Sequence, residues 1–131
     1  MSMGRIEILY NGVWGTICSQ NFGYQEAKVI CKQLGYRYST DFGTQYTKGT
    51  GPIWLSNLQC TGEESSIAIC RNSGWGINNC THNQDVGVIC RAGTFDFPLC
   101  IYRIRYDLYF KLLLHSSNIR MQSLTHLYLY D

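Results

Sequence analysis

The residues of this chain best suited to chemistry are seven cysteines: Cys18, Cys31, Cys60, Cys70, Cys80, Cys90 and Cys100. Thiols at this density either cross-link or hold a metal. A zinc site needs closely spaced ligand pairs. The chain has no Cys-x2-Cys, and only His82 stands close to a cysteine. Disulfides are the expected chemistry, and they imply an oxidising compartment. The odd count leaves one thiol unpaired or intermolecular. Cys60 to Cys100 recur every ten residues, but their flanks share no pattern, so no repeat is implied.

Catalytic motifs are missing. The sequence contains no G-x-S-x-G, no H-E-x-x-H and no glycine-rich phosphate loop ahead of a helix. His82-Asn83-Gln84-Asp85 sets a base beside a carboxylate, yet no activated nucleophile accompanies it. A structural role is expected for His82. His115 and His126 fall in a C-terminal stretch of different composition, and Cys100 is expected as a leftover thiol rather than a nucleophile. No catalytic residue and no cofactor are expected.

The elements that must position these residues follow from local pattern. Strands are expected over residues 5–10, 13–18, 52–58 and 85–90, each rich in β-branched or aromatic residues. Asn11-Gly12 between the first two is a strong hairpin signal. A helix is expected over residues 24–34, where Ala27, Ile30, Cys31 and Leu34 form one apolar stripe. Gly35 stops it, and Glu26 and Lys32 suit its dipole. A single helical turn is expected near residues 65–70.

Composition narrows the class. The chain has 131 residues, 45% hydrophobic and 15% charged, with a net charge of +2. That length holds one domain with an appendage, and the apolar content excludes a disordered chain. So small a charge excludes nucleic-acid binding by a general basic field. No apolar run reaches the ~18 residues of a membrane span. Met1-Ser2-Met3-Gly4-Arg5 shows no export signal, so a piece of a larger secreted or membrane-anchored protein is expected. All three tryptophans, six of the seven cysteines and twelve of the thirteen glycines precede Arg91, where a boundary is expected.

With these elements placed, the chain resembles the scavenger receptor cysteine-rich (SRCR) domain. The matching stretches begin with Gly4-Arg5-Ile6-Glu7-Ile8, Trp14-Gly15-Thr16-Ile17-Cys18 and Ala27 to Gly35. Gly49-Thr50-Gly51-Pro52-Ile53-Trp54-Leu55 and Cys60-Thr61-Gly62-Glu63-Glu64-Ser65-Ser66 follow. Gly74-Trp75-Gly76, Asn79-Cys80-Thr81-His82 and Asp85-Val86-Gly87-Val88-Ile89-Cys90 complete the set. Any one is weak; eight in order with six cysteines are specific. Tyr36 stands where one group of the family carries an extra cysteine, so the chain is similar to the six-cysteine group A.

The resemblance implies an α+β fold: a curved antiparallel β-sheet cradling one α-helix. It implies the disulfides Cys18–Cys80, Cys31–Cys90 and Cys60–Cys70, with Cys100 unpaired; spacing alone chooses among no pairings. The domain would cover residues 1–91. Two departures stand out. The strand that precedes Gly4-Arg5 in the family is absent. The tail, residues 92–131, has no counterpart; it is expected to be disordered or the product of an incorrect gene model, with packing on the vacant edge as the other reading.

The family often holds a divalent cation through carboxylates. Here Ser19, Gln20 and Gln84 replace three of them, and Ser56 a fourth, leaving Asp85. Calcium needs several charged oxygens, so no metal site is expected. Arg5, Lys32, Arg37, Lys48 and Arg71 are candidate ligand-binding residues. Trp14, Trp54 and Trp75 are expected in the core. Asn79-Cys80-Thr81 is a glycosylation sequon, disfavoured by early closure of a bridge at Cys80. The resemblance thus implies a non-enzymatic extracellular recognition module of scavenger-receptor type, secreted or in an ectodomain, binding a protein or a polyanionic or microbial surface. The alternative is an accessory domain of a larger enzyme, lysyl-oxidase-like or serine protease. No nucleic acid is expected as a partner.

Overall fold

The computed structural model describes residues 1–93 and 118–122. Cys100, His115 and His126, with the rest of the tail, lie outside the described residues. The strands are β1 (Ser2–Tyr10), β2 (Val13–Ile17), β3 (Tyr38–Gly43), β4 (Ile53–Leu55), β5 (Gly87–Arg91) and β6 (Ile119–Gln122). One helix, α1 (Tyr24–Gln33), and two 3-10 turns, Ile67–Ile69 and His82–Gln84, complete the set.

The β1–β2 hairpin forms as its sequence requires. Tyr10 pairs with Val13 across Asn11 and Gly12, which take φ of 49° and 74°. Two-residue hairpin turns need such positive φ, and Asn-Gly supplies it at least cost. The helix also follows its pattern. Ala27, Val29, Ile30 and Cys31 are buried, and Gly35 leaves the helix at φ 85°. At its start the Glu26 carboxylate accepts the Gly23 N–H at 2.9 Å, satisfying one of the donors a helix leaves open.

The sheet has the order β3-β5-β1-β2-β4. β5 pairs with residues 2–5 of β1, and β2 pairs with residues 7–10, both antiparallel. β6 pairs antiparallel with residues 5–8 of β1. Arg5 already pairs with Gly87 and Glu7 with Thr16, so β6 must lie on the opposite edge of β1. β2 and β4 run parallel. The sheet is therefore mixed, which corrects the expected antiparallel one. The chain passes through α1 and β3 before returning as β4, and so long a crossover permits parallel pairing.

Other differences are local. β3 forms where the sequence pattern marks no strand; none of its six residues is buried, three are exposed, and its pairing is shifted between Ser39 and Asp41. The expected strand over residues 52–58 shrinks to Ile53–Leu55, and the last domain strand starts at Gly87 rather than Asp85. β1 begins at Ser2, so Met3 extends the sheet at the N-terminus. In the tail, residues 119–122 form a strand on the domain.

Ile6, Ile8, Ile17, Ile30, Leu55, Leu58, Ile67, Val86 and Val88 are all at most 1% exposed and fill one core. Three bridges staple it: Cys18–Cys80, Cys31–Cys90 and Cys60–Cys70, the pairs the resemblance implies. A domain of this size buries a modest share of its surface, so covalent ties carry much of its stability.

Candidate functional site

Asp85 and His82 sit together at the end of the second 3-10 turn. Asp85 is buried and accepts the Gly49 N–H at 2.7 Å. His82 Nδ1 lies 2.9 Å from the same carboxylate, and Nε2 lies 2.9 Å from the Gly51 carbonyl oxygen. Both ring nitrogens thus face oxygen atoms of the scaffold rather than a hydroxyl or thiol. The ring ties the loop at residues 49–51 to the start of β5, which is a positioning role.

The cation positions of the resemblance do not fit a cation. The Ser19 N–H donates to the Gln84 carbonyl at 2.8 Å, and the Gln84 side-chain oxygen accepts the Thr81 N–H at 3.0 Å. Gln20 is exposed. Ser56 is buried and donates to the Ile77 carbonyl at 3.2 Å. Asp85 is the one carboxylate left, and its oxygens are engaged as described. Among the described residues, Cys60, Glu64 and Cys70 come within metal-ligand range of one another. The two sulfurs there are bonded to each other, so they offer no thiolate.

Glu64 instead closes its own loop. It accepts the Thr61 N–H at 2.7 Å and the Gly62 N–H at 3.0 Å. Led by the Thr61 backbone N–H, these bonds lower its pKa to about 2. Burial pushes Glu7 up, but hydrogen bonds from Arg5, Arg120 and Gln122 outweigh it and leave the pKa lowered. A carboxylate whose folded pKa is depressed stabilises the fold above its unfolded pKa, and that contribution is lost as pH falls through the folded value. Urea midpoints are therefore expected to fall steadily from about pH 5 to about pH 2. Glu64→Gln should flatten the lower part of that profile; an unchanged slope would contradict the assignment.

The basic candidates do not converge. Arg5 is turned inward: its Nη2 pairs with Glu7 at 2.9 Å, its Nη1 donates to Thr47, and its side chain is 11% exposed. This removes it from the expected ligand face. Lys32, Arg37, Lys48 and Arg71 are exposed. Arg37 joins the end of β5 through its backbone N–H to the Arg91 carbonyl, while Arg71 pairs with Gln59 beside the Cys60–Cys70 bridge. Lys48 sits on the loop next to Gly49. Among the described residues no hydrogen bond or ion pair links these four. Asn79 is exposed, next to the bridged Cys80.

The tryptophans differ from expectation, because each is half-buried rather than in the core. Tyr10 stacks on Trp75, centroids 4.0 Å apart and planes 1° apart, and meets Trp54 edge-on at 5.1 Å. Trp54 Nε1 donates to the Val13 carbonyl at 2.9 Å. One side of Trp54 and Trp75 packs on the core, and nearby Val13 and Ile77 are exposed. An open depression of about 540 Å³ runs past Trp54, Pro52, Gly76, Asn78, Cys80 and His82. Tyr10 was absent from the sequence candidates; its partners lie far along the chain, so no local pattern marks it.

A curled mixed sheet on one helix, held by three disulfide bridges, with loops closed by Asp85, His82 and Glu64, defines a disulfide-stapled module. Residues 1–91 match the scavenger receptor cysteine-rich domain, and the chain belongs to that family. It is 47% identical over 91 residues to lysyl oxidase homolog 2 of Homo sapiens, covering 68% of this chain and 12% of that protein. It is 49% identical over 89 residues to human lysyl oxidase homolog 4, covering 66% and 12%. The chain thus spans about an eighth of the length of these curated relatives. Among solved structures it is similar to the dimeric form of the SRCR domain of mouse MARCO, with TM-score 0.64 and 43% identity over 67% of this chain and 85% of that one. The third SRCR domain of murine neurotrypsin gives TM-score 0.62 and 40% identity over 71% and 89%. SRCR domains are extracellular, non-catalytic modules. Among the described residues no helix is long and apolar enough to cross a membrane.

Proposed function

We propose that this chain supplies an extracellular recognition module that binds a protein partner through the Tyr10, Trp54 and Trp75 cluster. The observation that supports this is the half-open stack itself. Half-buried aromatic rings on a rigid scaffold provide large contact area at low entropic cost, which suits protein recognition. A polyanion is the less favoured ligand, because Lys32, Arg37, Lys48 and Arg71 are dispersed and Arg5 is tied to Glu7. The test is adhesion of the secreted chain to decellularised extracellular matrix. Trp75→Ala and Ile77→Asp should each abolish adhesion, while reversing the charges of Lys32, Arg37 and Arg71 should not. The chain should also leave a heparin column below about 0.15 M salt. Tight heparin retention lost on charge reversal would overturn the reading.

A second reading concerns the parent protein. Similarity to lysyl oxidase homologs, at 47–49% identity, favours an accessory domain of a larger enzyme over a stand-alone receptor. Transcript sequence beyond both ends, with or without an oxidase domain, decides between them.

The replaced carboxylates at Ser19, Gln20 and Gln84 predict indifference to calcium. Adding calcium at about 1 mM, the range of weak extracellular sites, should leave the melting temperature unchanged. A rise of several degrees would show a site that these neutral side chains do not explain.

A further inference from the structure

Glu7 is a buried carboxylate with two differently served oxygens. Oε1 takes Arg5 Nη2 at 2.9 Å, a neighbour on the same strand. Oε2 takes Arg120 Nε at 2.7 Å and Gln122 Nε2 at 3.1 Å, both from β6. The Arg120 guanidinium also lies 4.0 Å over the centroid of the Trp14 ring, a cation–π contact. Arg120 is therefore held between an anion and an aromatic face. On the other side of β6, Ile119 is 3% exposed and Met121 packs against the core. The backbone joins as well: the Leu9 N–H donates to the Asn118 carbonyl at 2.7 Å.

These contacts are the parts of a peptide-binding edge: a ladder for the backbone, apolar seats for alternate residues and one charged slot between them. Among the described residues β5 and β2 both occupy the other side of β1, and β6 is the strand that covers this edge. An uncovered strand edge invites pairing. Without β6, Oε2 of Glu7 loses both of the donors named above, so the edge selects for a strand that carries a cation at that position. The sequence places 27 residues, 92–118, between the end of β5 at Arg91 and this strand. Its occupancy therefore rests on the strand's own contacts rather than on a short tether.

We propose that the outer edge of β1 is a strand-binding site for an extended peptide with an arginine between two apolar residues, and that Ile119–Gln122 of this chain is its resident occupant. Glu7 and Trp14 form the arginine slot. This inference does not depend on the aromatic depression.

The test uses the full chain carrying Ile119→Asp and Arg120→Glu, which sets two new carboxylates against the core and Glu7. A synthetic peptide of residues 117–123 is titrated against it, read by tryptophan fluorescence. Saturable binding is expected, and the same peptide with alanine for arginine should bind at least about tenfold more weakly. Adding Glu7→Gln should remove that difference, and the unaltered chain should bind the peptide at least about tenfold more weakly because its own strand competes. No binding, or equal binding of both peptides, overturns the proposal. Should the altered chain fail to fold, hydrogen exchange of the unaltered chain decides. Protection of the Leu9 amide that Arg120→Glu abolishes supports the site; a freely exchanging Leu9 amide in the unaltered chain overturns it.

Discussion

Replacing Cys31 and Cys90 together with alanine is expected to cost the domain about 2–5 kcal/mol, enough to leave much of it unfolded at body temperature. Both residues are fully buried, one in the last turn of α1 and one in β5. Their bridge closes a separation of 59 residues, against 10 for Cys60–Cys70. In the chain-entropy model those loops differ modestly, roughly 4 against 3 kcal/mol. Packing widens the gap. Cys31 and Cys90 belong to the central core, whereas Cys60 is only partly buried. Deleting two buried sulfurs leaves a cavity between helix and sheet, which adds its own cost. The check is a pair of urea titrations on secreted protein, comparing this double variant with Cys60→Ala, Cys70→Ala. An equal or smaller loss for the Cys31–Cys90 pair would show that the helix is held chiefly by other contacts.

Glu26→Ala is expected to be nearly as damaging, at about 2–4 kcal/mol, because it strands two backbone donors at once. Glu26 is 5% exposed. One oxygen accepts the Gly23 N–H at 2.9 Å, and the other accepts the Cys60 N–H at 2.7 Å. A single side chain thus caps the helix and anchors the loop that carries the third bridge. Buried N–H groups without partners carry their full desolvation cost. Glu26→Gln keeps one carbonyl oxygen and should lose about half as much. Loosening the loop should also expose its sulfurs, so Glu26→Ala should speed reduction of Cys60–Cys70 by mild thiol while leaving Cys31–Cys90 intact. Equal reduction rates for the two bridges would refute the anchoring role.

Glu26 also shows how much of the site was legible in advance. Its place in the first turn of the helix reads directly from the sequence, and so does its fit to the dipole. Its bond to Cys60 does not, since 34 positions separate them. Asp85 and His82 behave the same way. Their proximity in sequence is plain, but their partners Gly49 and Gly51 come from a loop more than 30 residues earlier. Arg5 matches a ligand-type arginine in the resemblance, and only the inward-facing Glu7 reveals that it is already paired.

By itself the sequence determined what depends on short range and on register. Asn11-Gly12 set the hairpin, the apolar stripe from Ala27 to Cys31 set the helix, and eight ordered motifs with six cysteines set the family and its bridges. Tertiary structure alone decided the rest: the parallel β2–β4 pair, the polar edge strand β3, the half-open stack of Tyr10 on Trp75, and the seat of β6 on β1. The physical reason is the same in each case. Hairpins and helices are favoured by the residues that form them, whereas a four-residue strand such as Ile119–Gln122 has almost no stability of its own. It acquires a conformation only where a distant edge supplies its ladder, its apolar seats and the carboxylate of Glu7.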